Sequence, residues 1–218
     1  MELTNQEIMS KVDHTLLKAD ADWEAIQKLC REAVQYGAAS VCVPSSYVAR
    51  IKAAFGDGLV ICTVVGFPLG YATTEAKLAE TAQALADGAA EIDMVVNLGD
   101  VKNQDFAAVT AEIARLKEAC GNRVLKVIIE TCYLNEDEKI ALCHCVTNGG
   151  ADYIKTSTGF GTAGANLADI ALFKAHIGPG IRIKAAGGIR AKEDLVAFIQ
   201  AGCDRVGASA AVSALYGV

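Results

Sequence analysis

Histidine is scarce in this chain. Its 218 residues include only His14, His144 and His176. A zinc-dependent site would want several His or carboxylate ligands gathered at one end of the fold, so no metal is expected. None of the eight cysteines forms a CxxC pair, and most fall in apolar stretches, where Cys acts as a small hydrophobe. Cys143-His144-Cys145 lies in a helical pattern, where residues two apart do not share a face. Basic runs are missing and the net charge is -6, which argues against a nucleic-acid surface while leaving room for a local basic pocket. No apolar run is long enough for a bilayer, and Met1 to Glu7 holds no secretory apolar core. The expectation is a reduced, cytoplasmic protein with no membrane partner. Linkers and low-complexity segments are also absent.

What is there is a regular alternation. Short apolar runs at 11–17, 39–44, 59–66, 91–97, 124–130, 152–158, 181–186 and 205–207 read as strands. Amphipathic stretches at 22–36, 47–55, 74–86, 105–120, 136–147, 167–176, 192–200 and 210–215 read as helices. Gly37, Gly56, Gly88, Gly121, Gly149 and Gly202 follow helices, as left-handed caps would. Asp105 and Asn166 suit N-caps, and Asn135 with Glu138 suits a capping box. Eight strand–helix units in one chain of this length predict a single-domain (β/α)8 TIM barrel over 1–218, with a short extra N-terminal helix. The rival is a doubly wound open sheet. That fold usually shows a glycine-rich turn after its first strand, and here Lys18-Ala19-Asp20-Ala21 follows instead.

Charges inside the apolar runs are the most informative feature. Lys155 and Lys184 each sit in a strand that ends in glycine. A buried ammonium is costly unless paired or neutralised, and two close lysines push one pKa down. A neutral amine is a nucleophile. Alternate strand positions add Glu91 and Asp93, Lys126 and Glu130, and Arg182 to the same interior. Any one of these reads equally as part of a buried structural ion network, such as Asp93 with Lys126. Together they carry more lysine than structure needs, which suits an amine nucleophile. Gly187-Gly188, Gly207-Ala208-Ser209, Gly159 and Gly161 fall after neighbouring strands six to eight, where barrels hold phosphate, and Arg190 could add charge. The bland reading of those glycines is tight turns alone. His14 faces away from Asp13 and Thr15 on the first strand, and His144 and His176 lie on helices away from the mouth.

Seven segments together resemble the deoxyribose-phosphate aldolase family of class I, or Schiff-base, aldolases. They are Val12-Asp13-His14-Thr15-Leu16-Leu17-Lys18, Val65-Gly66-Phe67-Pro68-Leu69-Gly70, Glu91-Ile92-Asp93-Met94-Val95-Val96-Asn97, Leu125-Lys126-Val127-Ile128-Ile129-Glu130-Thr131, Ile154-Lys155-Thr156-Ser157-Thr158-Gly159-Phe160, Lys184-Ala185-Ala186-Gly187-Gly188-Ile189-Arg190 and Gly207-Ala208-Ser209. The resemblance implies a (β/α)8 barrel that reversibly cleaves 2-deoxy-D-ribose 5-phosphate to D-glyceraldehyde 3-phosphate and acetaldehyde, with no cofactor. It implies that Lys155 forms the Schiff base, Lys184 lowers its pKa, and Asp93 relays protons. It also implies that Asp13, Thr15 and Lys126 line the site. Gly159, Gly187, Gly188, Arg190 and Ser209 complete the expected substrate contacts. Ala210 departs from the serine pair the family often carries there. Longer members end in a tyrosine that reaches the site, and here Tyr216 is followed only by Gly217 and Val218. Another class I aldolase or transaldolase on a related sugar phosphate, and a non-catalytic sugar-phosphate-binding barrel, are the alternatives. A homo-oligomer, dimer or tetramer, is expected. Trp23 is a candidate for its contact and equally for burial within the subunit.

Overall fold

The computed structural model describes residues 3–218. Eight parallel strands close into a barrel in sequence order, with the first pairing the last. They are β1 (Val12–Thr15), β2 (Ser40–Val43), β3 (Ile61–Val65), β4 (Glu91–Val95), β5 (Val124–Ile128), β6 (Tyr153–Lys155), β7 (Arg182–Ala186) and β8 (Arg205–Ala208). These strands are covered on both faces, so nearly every strand residue is buried, the charged ones among them. The helices are α1 (Asn5–Met9), α2 (Trp23–Tyr36), α3 (Val48–Phe55), α4 (Thr74–Ala86), α5 (Leu98–Lys102), α6 (Phe106–Cys120), α7 (Glu136–Asn148), α8 (Leu167–His176), α9 (Lys192–Ala201) and α10 (Ala211–Tyr216). Helices such as α2 hide an apolar stripe against the barrel wall, there with Ile26, Leu29, Cys30 and Ala33. No helix among the described residues is long and apolar enough to cross a membrane.

The expected strands and the eight main helices are all present, and α1 is the extra N-terminal helix, packed on α9 and α10. The caps at Asp105 and Asn166 and the Asn135–Glu138 box form as read. Gly149 does not. It caps α7 in the right-handed region, and Gly150 takes the positive φ of +72°. Gly56 and Gly121 have positive φ but extended ψ, so they turn the chain outside the left-handed helical well. Helix α5 was not expected. Five residues behind an Asn97 cap are too few to show a helical period. Trp23 is half-buried within the chain, stacked near Tyr47 with the Arg50 guanidinium 4.0 Å from its ring centre.

Candidate active site

Residues that alternate along a barrel strand share one face, so charged residues at inward positions of several strands must meet. β1 brings Asp13, β4 brings Glu91 and Asp93, β5 brings Lys126, β6 brings Lys155, β7 brings Lys184 and β8 brings Arg205. Register sets Asp93 beside Lys126 and Lys155 beside Lys184. Asp93 is the hub. Its Oδ2 accepts from Lys155 at 2.7 Å and Lys184 at 2.8 Å, and its Oδ1 accepts from Lys126 at 2.9 Å. Lys184 also donates to Asp13 Oδ2 at 2.5 Å, and Arg205 donates to Asp13 Oδ1 at 2.5 Å. Lys126 and Arg205 share Glu91. Four basic side chains thus face three carboxylates in a region almost without solvent.

Burial alone would raise the pKa of Asp93, but Lys126, Lys155 and Lys184 outweigh it and hold the carboxyl well below its usual range. Asp13 behaves alike, with burial opposed by Lys184, Lys126 and Arg205, and ends well below normal. For Lys184 burial works downward, yet the attraction of Asp13 and Asp93 leaves its pKa well above normal. Lys184 is therefore a fixed cation at working pH.

Above this cluster lies a cavity of about 320 Å³. Of the seven charged residues only Lys155 lines it, at 3% exposure. Thr15, Gly159, Gly187, Gly188, Arg190 and Ser209 line the same cavity, so the expected substrate contacts converge. Gly187 and Gly188 have φ of +87° and +78°, and a Cβ on Gly187 would come within 3.1 Å of the Gly164 backbone. Glycine is needed there for both reasons.

Several expectations need correcting. Asp13 and Lys126 do not line the cavity; both are fully buried beneath it and contact it only through other charges. Glu130 does not point into the barrel centre. β5 ends at Ile128, and Glu130 adopts a left-handed conformation (φ 52°, ψ 65°) that swings its carboxylate onto Thr158, whose N–H donates at 3.1 Å. Arg182 lies exposed at the opposite end of the barrel, stacked 4.2 Å from the Tyr153 ring centre. Gly161 leaves the main cavity and packs against Cys132 and Glu130. Helix α10 starts at Ala211 and has six residues, so little dipole is available beside Ser209. Tyr216 stacks on Tyr36 at the end of α2, with ring centres 4.3 Å apart. His14 packs outward, as expected, and pairs with Glu32 at 2.9 Å. Arg205 was missed because it opens its strand, where a charge is unremarkable.

A closed parallel barrel with a cavity at the C-terminal ends of its strands, and a lysine amine presented there by a buried charge cluster, defines an enzyme of the (β/α)8 class. The family model described as DeoC/LacD family aldolase matches residues 7–217. The chain is 62% identical over 215 residues to a protein of Clostridium botulinum (strain Eklund 17B / Type B) named deoxyribose-phosphate aldolase, across 99% of this chain and 97% of that one. It is 54% identical to a Clostridioides difficile (strain 630) protein of the same name, across 93% and 92%. Among solved structures it is similar to a tetrameric deoxyribose phosphate aldolase from Aeropyrum pernix, with a TM-score of 0.89, 33% identity and coverage of 97% and 91%. The chain belongs to the DeoC/LacD family of aldolases, and is a lyase.

Proposed function

We propose that this aldolase reversibly cleaves 2-deoxy-D-ribose 5-phosphate to D-glyceraldehyde 3-phosphate and acetaldehyde through a Schiff base on Lys155. The observation that carries the residue assignment is that Lys155 alone of the charged cluster opens into the cavity. The names of the relatives support the substrate. The free amine of Lys155 adds to the C1 aldehyde and gives a carbinolamine. Loss of water gives the iminium. An iminium at C1 can draw electrons from the bond between C2 and C3, and that is the carbon–carbon bond that breaks. The C3 hydroxyl loses its proton and becomes the aldehyde of glyceraldehyde 3-phosphate. Asp93 Oδ2, relieved of one of its lysine donors, receives that proton through a water. The electron pair passes to the nitrogen and leaves an enamine of acetaldehyde. Protonation at C2 and hydrolysis release acetaldehyde and restore Lys155. No cofactor takes part in these steps.

Lys184, held as a cation by Asp13 and Asp93, disfavours a second positive charge nearby. In Lys184→Leu that repulsion is gone and the two carboxylates are under-neutralised. Both effects favour a protonated neighbour. The activity profile of the variant is expected to move to higher pH by at least about one unit, since a unit corresponds to about 1.4 kcal/mol. A residual activity with an unshifted pH profile would contradict this role.

The phosphate is assigned to the backbone of Gly187 and Gly188, the Ser209 hydroxyl and the Arg190 side chain, all on the cavity wall. Ser209→Ala is expected to raise KM for deoxyribose 5-phosphate about tenfold, with a smaller effect on kcat, as for one hydrogen bond to a charged group. Ser209→Glu is expected to raise it by a further ~100-fold or so through repulsion of the dianion. Non-phosphorylated deoxyribose should turn over nearly as before in both. Equal losses on the two substrates would place the phosphate elsewhere.

We also infer a cytoplasmic homo-oligomer. The free cysteines fit a reducing compartment, and the Aeropyrum pernix relative is described as tetrameric.

A further inference from the structure

One buried nucleophilic group in the barrel takes no part in the steps above. Cys62 lies on β3, fully buried, with its side chain in the charged interior rather than the wall. Its Sγ is 3.1 Å from Asp93 Oδ1, and Lys126 Nζ is 3.3 Å from the same sulfur. Cys42 on β2 is its register partner, and Glu91 on β4 lies on its other side. Burial, Cys42 and the Asp93 charge hold the Cys62 thiol well above its usual pKa. The sulfur therefore keeps its proton and can donate it.

A carboxylate has about four acceptor positions. Asp93 fills two on Oδ2 with Lys155 and Lys184, and two on Oδ1 with Lys126 and Cys62. Three of these donors are amino groups at the ends of long lysine side chains, and Lys126 and Lys184 are shared with other acceptors. The thiol, on a short side chain in a closed strand, is the rigid one. We infer that Cys62 is a positioning residue for carbon–carbon cleavage: its S–H bond to Oδ1 fixes the Asp93 carboxylate so that Oδ2 faces the lysine pair and the reacting hydroxyl. This inference rests on the Lys155 mechanism proposed above. Sequence reading passed over Cys62 because a cysteine in an apolar run looks like a small hydrophobe.

Cys62→Ala removes the donor and some volume, Cys62→Val removes the donor and adds about a methyl group, and Cys62→Ser keeps a donor. The test compares kcat and KM for deoxyribose 5-phosphate with the rate of borohydride trapping of acetaldehyde on Lys155. For Ala and Val, kcat should fall about five- to thirty-fold, with KM and the trapping rate little changed. Cys62→Ser should recover most of the lost rate. If wild-type protein traps at Lys155 but Ala and Val keep the wild-type kcat, the role is refuted while the mechanism stands. If all three variants lose kcat and trapping alike, Cys62 only supports the fold, and the role is again refuted. If wild-type protein does not trap at Lys155, the mechanism fails and this role with it.

Discussion

Lys155→Ala should lose at least about 10⁴-fold in kcat/KM while keeping its fold and its melting temperature. The loss of activity follows from removing the only cluster amine that reaches the cavity, and nucleophile deletions in enzymes are of that size. The retained stability is the less obvious half. With Lys155 as the free amine, Lys126, Lys184 and Arg205 already balance Asp13, Glu91 and Asp93. Deleting Lys155 leaves that balance of three cations and three carboxylates unchanged. The cavity side of the barrel is open there, so water can enter the space left behind. Thermal denaturation and steady-state kinetics on one preparation check both halves. A variant that is inactive because it is unfolded would not support the assignment.

Asp93→Asn should show the opposite combination, with activity and stability lost together. Its carboxylate accepts from three ammonium groups, and the amide can neutralise none of them. Lys126, Lys184 and Arg205 would then face only Asp13 and Glu91. Breaking a buried charge network by removing one partner costs about 3–5 kcal/mol. In a domain of this size that lowers the melting temperature by roughly 6–20 °C. The effect should depend on pH in a defined direction. The folded-state pKa of Asp93 lies well below that of an unfolded aspartate, about 3.9. Its contribution to stability is therefore complete above about pH 5 and declines as acid approaches the folded value. The stability gap between wild type and Asp93→Asn should narrow on acidification. A gap that widens in acid would mean that Asp93 is protonated in the native state.

The strands were legible because a parallel barrel buries both faces, and runs such as Ile61-Cys62-Thr63-Val64-Val65 have little else to be. Lys155, Lys184 and Asp93 stood out for the same reason, since charge in such a run is rare. Glu130 misled because the two-residue alternation was carried past the end of β5, where a left-handed residue breaks it. Arg205 and Cys62 were invisible for opposite reasons. One is a charge at a strand end, where charges are common, and the other is a polar group that passes for an apolar one. Whether Asp13 and Lys126 touch the cavity depends on depth along the barrel axis, which strand periodicity does not encode.

The most direct test is reductive trapping. Wild-type protein is treated with acetaldehyde and borohydride, digested, and its lysines are mapped by mass spectrometry. The account predicts a single N-ethyl lysine at Lys155, lost in Lys155→Ala. An adduct on Lys126 or Lys184 instead, or no adduct under conditions where the enzyme turns over, would contradict it.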